Sequence, residues 1–363
     1  MPTLPTGTPR ATAYDAAPPL VEAVALTKTF VGTGSIVDLA LRRPPRVVTA
    51  VDRIDLQIPR GAVVALVGES GCGKSTLSRC LLRLIEPTSG TVRFDGVDIV
   101  ALDPLALRHL RPRMQIIFQD PFASLNPRLT VGQALSEVLE IHHVVPKGAI
   151  PARVAELLGM VGLPATARER YPRSFSGGQQ QRIGIARALA AAPSFLVADE
   201  AVSKLDVSVQ VQILNLLRQL QRDLGLTILL VAHDLAVVRY VSQRVAVMYL
   251  GAIVESGETE ELFARPSHPY TRALLAAVPK LQPGNRQRIP SLPGDPPSPL
   301  NLPRGCRFHT RCPRAEPICM QESPPLREIA PGHLAACHFA DELWQASPST
   351  TLREAQHAFV DQP

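Results

Sequence analysis

The stretch Gly68-Glu69-Ser70-Gly71-Cys72-Gly73-Lys74-Ser75-Thr76 constrains this chain more than any other. It follows the apolar run Val63-Val64-Ala65-Leu66-Val67, which is β-rich and short enough for a buried strand. Leu77, Cys80, Leu81 and Leu84 come next and fall on one face of a helix. Strand, glycine loop and helix in that order turn a G-x-x-x-x-G-K-[ST] pattern into a phosphate site. Gly68, Gly71 and Gly73 let the backbone curl so that successive N–H groups converge on an anion. The helix N-terminus adds the positive end of its dipole. Lys74 can then reach the β- and γ-phosphates, and the Ser75 hydroxyl can ligate Mg²⁺. The alternative is a glycine-rich turn that binds nothing. With strand and helix both present, the loop reads as a nucleotide site.

Composition sets wide bounds. A chain of 363 residues, 45% apolar and 19% charged, suits a soluble globular protein of one large domain or two smaller ones. No run reaches the roughly 18 uncharged apolar residues a membrane span needs. No basic-then-apolar leader opens the chain, so the cytosol is the default expectation. The net charge of +6 could serve nucleic acid or an anionic membrane leaflet. Lys and Arg are interspersed with carboxylates, and aromatics at 4% leave few platforms for stacking bases. Nucleic acid is therefore not expected as a partner.

Taken in order, residues 1–18 read as a disordered tail and 20–30 as a strand. Residues 32–45 look like an inserted loop, and 47–58 resume strand patterning. Thr91 to Phe94 form a further short strand between the turns Pro87-Thr88-Ser89-Gly90 and Asp95-Gly96. Residues 130–163 carry one helical pattern, broken at Gly159 and Pro164. A helix opens near Ser176 and runs to Ala190, and another covers 208–224 with Gly225 as its stop. Phe195 to Ala198 and Thr227 to Val231 read as buried strands, and residues 244–255 as a hairpin around Gly251. Beyond about residue 279 the composition becomes Pro-rich.

Hydrolysis of a nucleotide also needs a carboxylate for Mg²⁺ and a group that activates water. Asp199 ends a buried strand and is the candidate metal ligand. Glu200 follows as the candidate general base. His233, at the end of the next strand, can hydrogen-bond a γ-phosphate, although a lone histidine there is more often structural.

These residues carry a resemblance. Ser176-Gly177-Gly178-Gln179 resembles the signature motif of ABC ATPases, with Phe175 where Leu is commoner. The order of motifs is also similar: glycine loop, Gln119 of a Q-loop, signature, Asp199-Glu200, Leu205-Asp206 of a D-loop, and His233 as switch histidine. The resemblance covers about residues 20–270. It implies a P-loop NTPase, a RecA-like α/β core with an antiparallel β-subdomain and a helical subdomain over 119–190. It also implies nucleotide contacts from Gly68, Glu69, Ser70, Gly71, Cys72, Gly73, Lys74, Ser75 and Thr76, and from Gln119 and Asp199. Ser176, Gly177, Gly178, Gln179 and Asp206 join them, with Ser75, Gln119 and Asp199 about Mg²⁺. Catalysis falls to Glu200, His233 and Gln119. Phe30 would stack on adenine, or else be a core residue. A chain with one phosphate loop and one signature would complete its sites by pairing head to tail with a second ATPase subunit, expected as a heterodimer. The sequence Ala201-Val202-Ser203-Lys204-Leu205-Asp206 departs from the usual Ser-Ala-Leu-Asp, and Lys204 puts a cation beside that interface.

Three stretches are similar to dipeptide/oligopeptide importer ATPases: Gln119-Asp120-Pro121-Phe122-Ala123-Ser124-Leu125-Asn126-Pro127-Arg128, His268-Pro269-Tyr270-Thr271-Arg272-Ala273-Leu274-Leu275, and Leu292-Pro293-Gly294-Asp295-Pro296-Pro297-Ser298-Pro299. This implies two membrane permease subunits, an extracytoplasmic peptide-binding protein and a peripheral place on the cytoplasmic face of a bacterial inner membrane. Nickel, glutathione or another small solute is an alternative cargo, and a soluble ABC ATPase of DNA repair or translation a more distant one.

The expected organisation is a tail (1–18), a nucleotide-binding unit (19–278), a Pro/Cys-rich C-terminal region (279–340) and a second tail (341–363). Cys306, Cys312, Cys319 and Cys337 in that region are separated by 5, 6 and 17 intervening residues. Four thiols in a cytosolic chain argue against stable disulfides. Their spacing lacks the close pairs of structural zinc, and four Cys ligands also suit an iron–sulfur cluster. The peptide-importer resemblance implies a [4Fe-4S] cluster. Zinc, with His309, His333 or His338 as substitutes, and free thiols stay open. Cys72 and Cys80 read as packing residues.

Overall fold

The structure, a computed structural model, describes residues 18–32, 46–120, 125–203, 205–277 and 294–346. The N-terminal tail to residue 17, most of the inserted loop, Pro121 to Ser124, Lys204 and its expected effect, residues 278–293 and the tail from 347 lie outside them.

Alternating burial builds a first sheet. β1 (Val21–Val31) and β2 (Val47–Ile58) pair antiparallel, with Val21 opposite Ile58 and Val31 opposite Val47. β3 (Val63–Val67) leaves for a second sheet, while β4 (Ser89–Phe94) and β5 (Val97–Asp98) return to the first in the order β2-β1-β4-β5.

The second sheet adds β6 (Met114–Ile117), β7 (Phe195–Asp199), β8 (Thr227–Ala232), β9 (Arg244–Tyr249), β10 (Ala252–Glu258), β11 (Arg327–Ala330) and β12 (His333–Ala335). Its order is β11-β12-β10-β9-β3-β8-β7-β6. The five strands from β9 to β6 are parallel. Every residue of β3, β7 and β8 is buried, as expected for strands covered on both faces. The helix Val207–Leu224 packs one side through Ile213, Leu217 and Leu220 and stops at Gly225, whose φ of 64° no β-branched residue adopts without strain.

The expected helical run over 130–163 is two helices, Val131–Ile141 and Ile150–Met160. The break falls at residues 142–149, where His143 takes a φ of 50° and Pro146 cannot extend a helix. The second helix ends at Met160, one residue past Gly159 and before Pro164, close to the expected break there. Thr130 and Gln133 form a capping box at the start of the first helix.

The C-terminal region does not stand apart as its composition suggests. β12 pairs with β10, extending the ATPase sheet, and Phe308 is buried in the main core. Glu255 of β10, fully buried, accepts hydrogen bonds from the backbone N–H groups of Ser267 (2.6 Å) and His268 (3.0 Å) and meets His333 Nε2 of β12 at 2.8 Å. His333 therefore serves this seam, which corrects its reading as a substitute metal ligand.

His268 caps the helix Pro269–Ala276, its Nδ1 accepting the Tyr270 N–H at 3.1 Å. Burial pushes the imidazole down to about 3, far below its ordinary 6.5. Above pH 6.5 both folded and unfolded forms are neutral here. Below it only the unfolded chain takes the proton, so stability falls as pH drops toward 3. Urea titrations from pH 7 to 4 should show His268→Asn, which keeps a capping acceptor, losing less stability per pH unit than wild type. The difference should approach about 1.4 kcal/mol per unit, and equal slopes would contradict it.

Candidate functional site

Four loops leave the parallel sheet at one edge because of its register. Val67 pairs with Ala232, Asp199 with Val231 and Ile117 with Ala198. The phosphate loop, Glu200, His233 and Gln119 thus emerge side by side at the carboxyl ends of the strands, where open α/β sheets bind ligands.

The loop after β3 curls through positive φ angles at Gly68, Gly71 and Gly73 (153°, 79° and 109°) before the helix Lys74–Leu81 begins. A Cβ on Gly73 would stand 2.0 Å from the Ala50 carbonyl oxygen, and one on Gly68 2.2 Å from that of Met248. The cradle therefore excludes any side chain at these positions. Cys72 and Cys80 are buried, as packing residues are, and burial raises the Cys80 thiol to about 11.

Lys74 is buried, and its Nζ donates to the carbonyl oxygens of Gly68 (2.7 Å) and Glu69 (2.9 Å). The Ser75 hydroxyl donates to Asp199 Oδ1 at 2.9 Å. Burial pushes the Asp199 carboxyl above its ordinary range, opposed by the Ser75 hydrogen bond and by Arg79, whose guanidinium lies 3.9 Å away. A hydroxyl beside a buried carboxylate is the hard oxygen pair Mg²⁺ takes, so the residues present fit that ion.

Gln119 Nε2 donates to Glu200 Oε2 at 2.7 Å. Glu200 has a φ of 49°, and its carbonyl accepts from both the N–H (3.1 Å) and the hydroxyl (3.0 Å) of Ser203. His233 is exposed at the end of β8. Asp206 is exposed at the N-cap of the helix Val207–Leu224. Phe30 is 41% exposed on β1, with Lys28 Nζ 5.0 Å from its ring. It is not a buried core residue.

Ser176 caps the helix Gly177–Ala190 in a capping box with Gln179. Phe175 is buried in the core, and Arg170 stacks on its ring at 4.4 Å. A Cβ on Gly178 would stand 2.5 Å from Val209, so this turn lies tightly against the start of the next helix. Ser176 and Gln179 are exposed.

Two residues at the site have no local signal in the sequence. The Tyr270 hydroxyl accepts the Glu69 N–H at 2.8 Å, across 201 residues of chain. Arg311 forks onto the Glu69 carboxylate, with Nη1 2.7 Å from Oε2 and Nη2 3.0 Å from Oε1, across 242 residues. That bond holds the guanidinium even more firmly charged than usual.

Cys306, Cys312, Cys319 and Cys337 line one small cavity of about 10 Å³, with His309, His338 and Phe339. Burial raises the Cys306 and Cys312 thiols and pushes Cys337 up to about 12. Among the described residues no three His, Cys, Asp or Glu side chains gather closely enough to hold a metal ion. The donor chemistry suits thiophilic metal, but the ring as it stands offers no single-ion site.

Comparison with known proteins fits this geometry. Residues 51–203 match the family described as "ABC transporter", and residues 254–319 that described as "Oligopeptide/dipeptide transporter, C-terminal region". A putative peptide import ATP-binding protein of Brucella ovis is 54% identical over 287 residues, covering 79% of this chain and 90% of that protein. An oligopeptide transport ATP-binding protein of Bacillus subtilis is 49% identical over 295 residues, covering 80% and 89%. Among solved structures, cbiO1 of Clostridium perfringens, part of the ABC transporter complex cbiONQ, superposes with a TM-score of 0.59 at 29% identity, covering 68% of this chain and 92% of that one. The ATP-binding cassette MJ0796, in a dimeric post-hydrolysis state with ADP and Pi, gives 0.56 at 30% identity, covering 66% and 98%. The glycine cradle, the strand-end carboxylates and these relatives agree that the chain belongs to the ATP-binding, ATP-hydrolysing proteins of the ABC transporter family.

Proposed function

We propose that this chain is the ATP-hydrolysing subunit that drives a membrane permease importing dipeptides or oligopeptides. The observation that carries it is a strand-end nucleotide-binding edge joined to a folded oligopeptide-transporter C-terminal region. Peptide relatives at 49–54% identity support the cargo class over nickel, glutathione or a role in DNA repair or translation.

Gly68, Glu69, Ser70, Gly71, Cys72, Gly73, Ser75 and Thr76 wrap the phosphates, and Lys74 exchanges its loop carbonyls for phosphate oxygens. Ser75, Gln119 and Asp199 would hold Mg²⁺, which neutralises charge developing on the phosphates. Glu200 accepts the proton of the attacking water, and His233 orients the γ-phosphate. Phe30, half-exposed, stacks on adenine. The exposed turn of Ser176, Gly177, Gly178 and Gln179 closes the site of a second ATPase subunit, and Asp206 stands beside that interface. A heterodimer is the proposed pairing, and the dimeric form of MJ0796 supports pairing as such.

A cavity of about 260 Å³ bordered by Phe118, Val138, Ile141, His142, Gln181 and Arg187 lies between strand β6 and the helical subdomain. It is proposed to receive a helix of the permease. Phe118 adjoins Gln119, so pressure there reaches Glu200 through a single hydrogen bond. No described helix is long and apolar enough to cross a membrane, which suits a peripheral subunit on the cytoplasmic face. An extracytoplasmic binding protein would deliver the peptide.

In liposomes holding the permease and both ATPase subunits, peptide should stimulate ATP hydrolysis. Glu200→Gln should cut turnover by about 10²-fold or more while ATP binding persists. Hydrolysis undisturbed by that change would remove Glu200 from its role, and uptake of a non-peptide solute alone would replace the cargo.

The four thiols are further proposed as ligands of a [4Fe-4S] cluster, which their convergence on one cavity supports. The ring must open to admit a cluster. Anaerobically purified protein should carry about four iron and four sulfide per chain, lost together on substituting Cys319 or Cys337. Colourless protein holding zinc would overturn this.

A further inference from the structure

The phosphate loop is held from outside by the C-terminal region. Glu69 is the second residue of the loop, so its carboxylate puts a negative charge on the segment that must accept a polyphosphate. Arg311, only 5% exposed, takes that carboxylate in a two-bond fork, while Glu69 is 25% exposed. Arg311 sits in the single 3₁₀ turn His309–Arg311, and a packed aromatic group anchors it. The Phe308 ring lies 5.3 Å from that of Tyr249 and 5.4 Å from that of Tyr270, and Tyr249 and Tyr270 lie 4.6 Å apart. Tyr270 receives the Glu69 N–H, and the Tyr249 hydroxyl is 3.5 Å from Arg311 Nη1.

Two effects follow for a nucleotide. An uncompensated carboxylate in this loop would repel the phosphates, and Arg311 cancels it at hydrogen-bond range. The Glu69 carbonyl is also one of the two that Lys74 binds, so fixing the outer side of Glu69 fixes where Lys74 starts from.

We propose that Arg311 is a positioning residue for nucleotide binding, neutralising and fixing Glu69 so that the phosphate loop accepts the polyphosphate. This rests on the reading of the loop as an ATP site. It makes the C-terminal region a working part of that site, not only a mark of cargo class.

The test is equilibrium titration of the full-length chain with a fluorescent ATP analogue and Mg²⁺. Arg311→Met should raise Kd about tenfold. Adding Glu69→Gln to it, which removes the exposed charge, should bring Kd back to within about threefold of wild type. Arg311→Lys, keeping the charge without the fork, should fall between. The Met variant and the double variant lose the same packing, so a purely structural Arg311 would impair both alike. That equality, or an unchanged Kd in Arg311→Met, would overturn the proposal. Wild-type chain that fails to bind the analogue would instead overturn the nucleotide reading itself.

Discussion

The register of the parallel sheet is the constraint on which the site depends. Side chains alternate along a strand, so a slip of one residue between β3 and its neighbours would exchange the two faces of the sheet. It would also displace the loops that follow. With Val67 level with Ala232 and Asp199 level with Val231, the helix dipole at Lys74, the Asp199 carboxylate and the backbone of Glu200 share one edge. The register is held by burial. β3, β7 and β8 present no exposed residue, so any slip would drive β-branched side chains out of contact on both faces.

The charged groups at that edge satisfy one another. Lys74 is buried on its own loop carbonyls, Asp199 takes the Ser75 hydroxyl, and Glu200 takes the Gln119 amide. Replacing one such hydrogen bond by another costs little net free energy, which is compatible with the proposed exchange for phosphate and metal. The left-handed conformation of Glu200 costs about 1–3 kcal/mol. The Val231 carbonyl, which accepts the Glu200 N–H, and the two Ser203 bonds hold it there. That backbone fixes the root of the side chain independently of the hydrogen bond from Gln119.

Much of this was legible in the sequence because it is local. The glycine loop, the strands at Phe195 and Thr227 and the stop at Gly225 each depend on residues within a few positions. The break between the helices Val131–Ile141 and Ile150–Met160 was missed because His143 in a positive φ leaves no mark on a hydrophobic pattern. The exposed Phe30 was ambiguous because the inserted loop after it obscures its register. Tyr270 and Arg311 could not be placed on the phosphate loop at all, since nothing local in a chain announces a contact across 201 or 242 residues.

The C-terminal region shows why composition misleads there. Its own apolar cluster is Ala335, Cys337, Ala340 and Leu343, far too little to hold a fold alone. Its stability comes from outside: the β12 pairing with β10, the buried Glu255 to His333 contact, Phe308 in the main core and Arg307 paired with Asp52. A segment stabilised by the ATPase cannot move independently of it. Cys306 and Cys312 bracket Phe308 and Arg311 in the chain, so the turn that grips Glu69 is built between two of the clustered thiols and shares their packing on the main core.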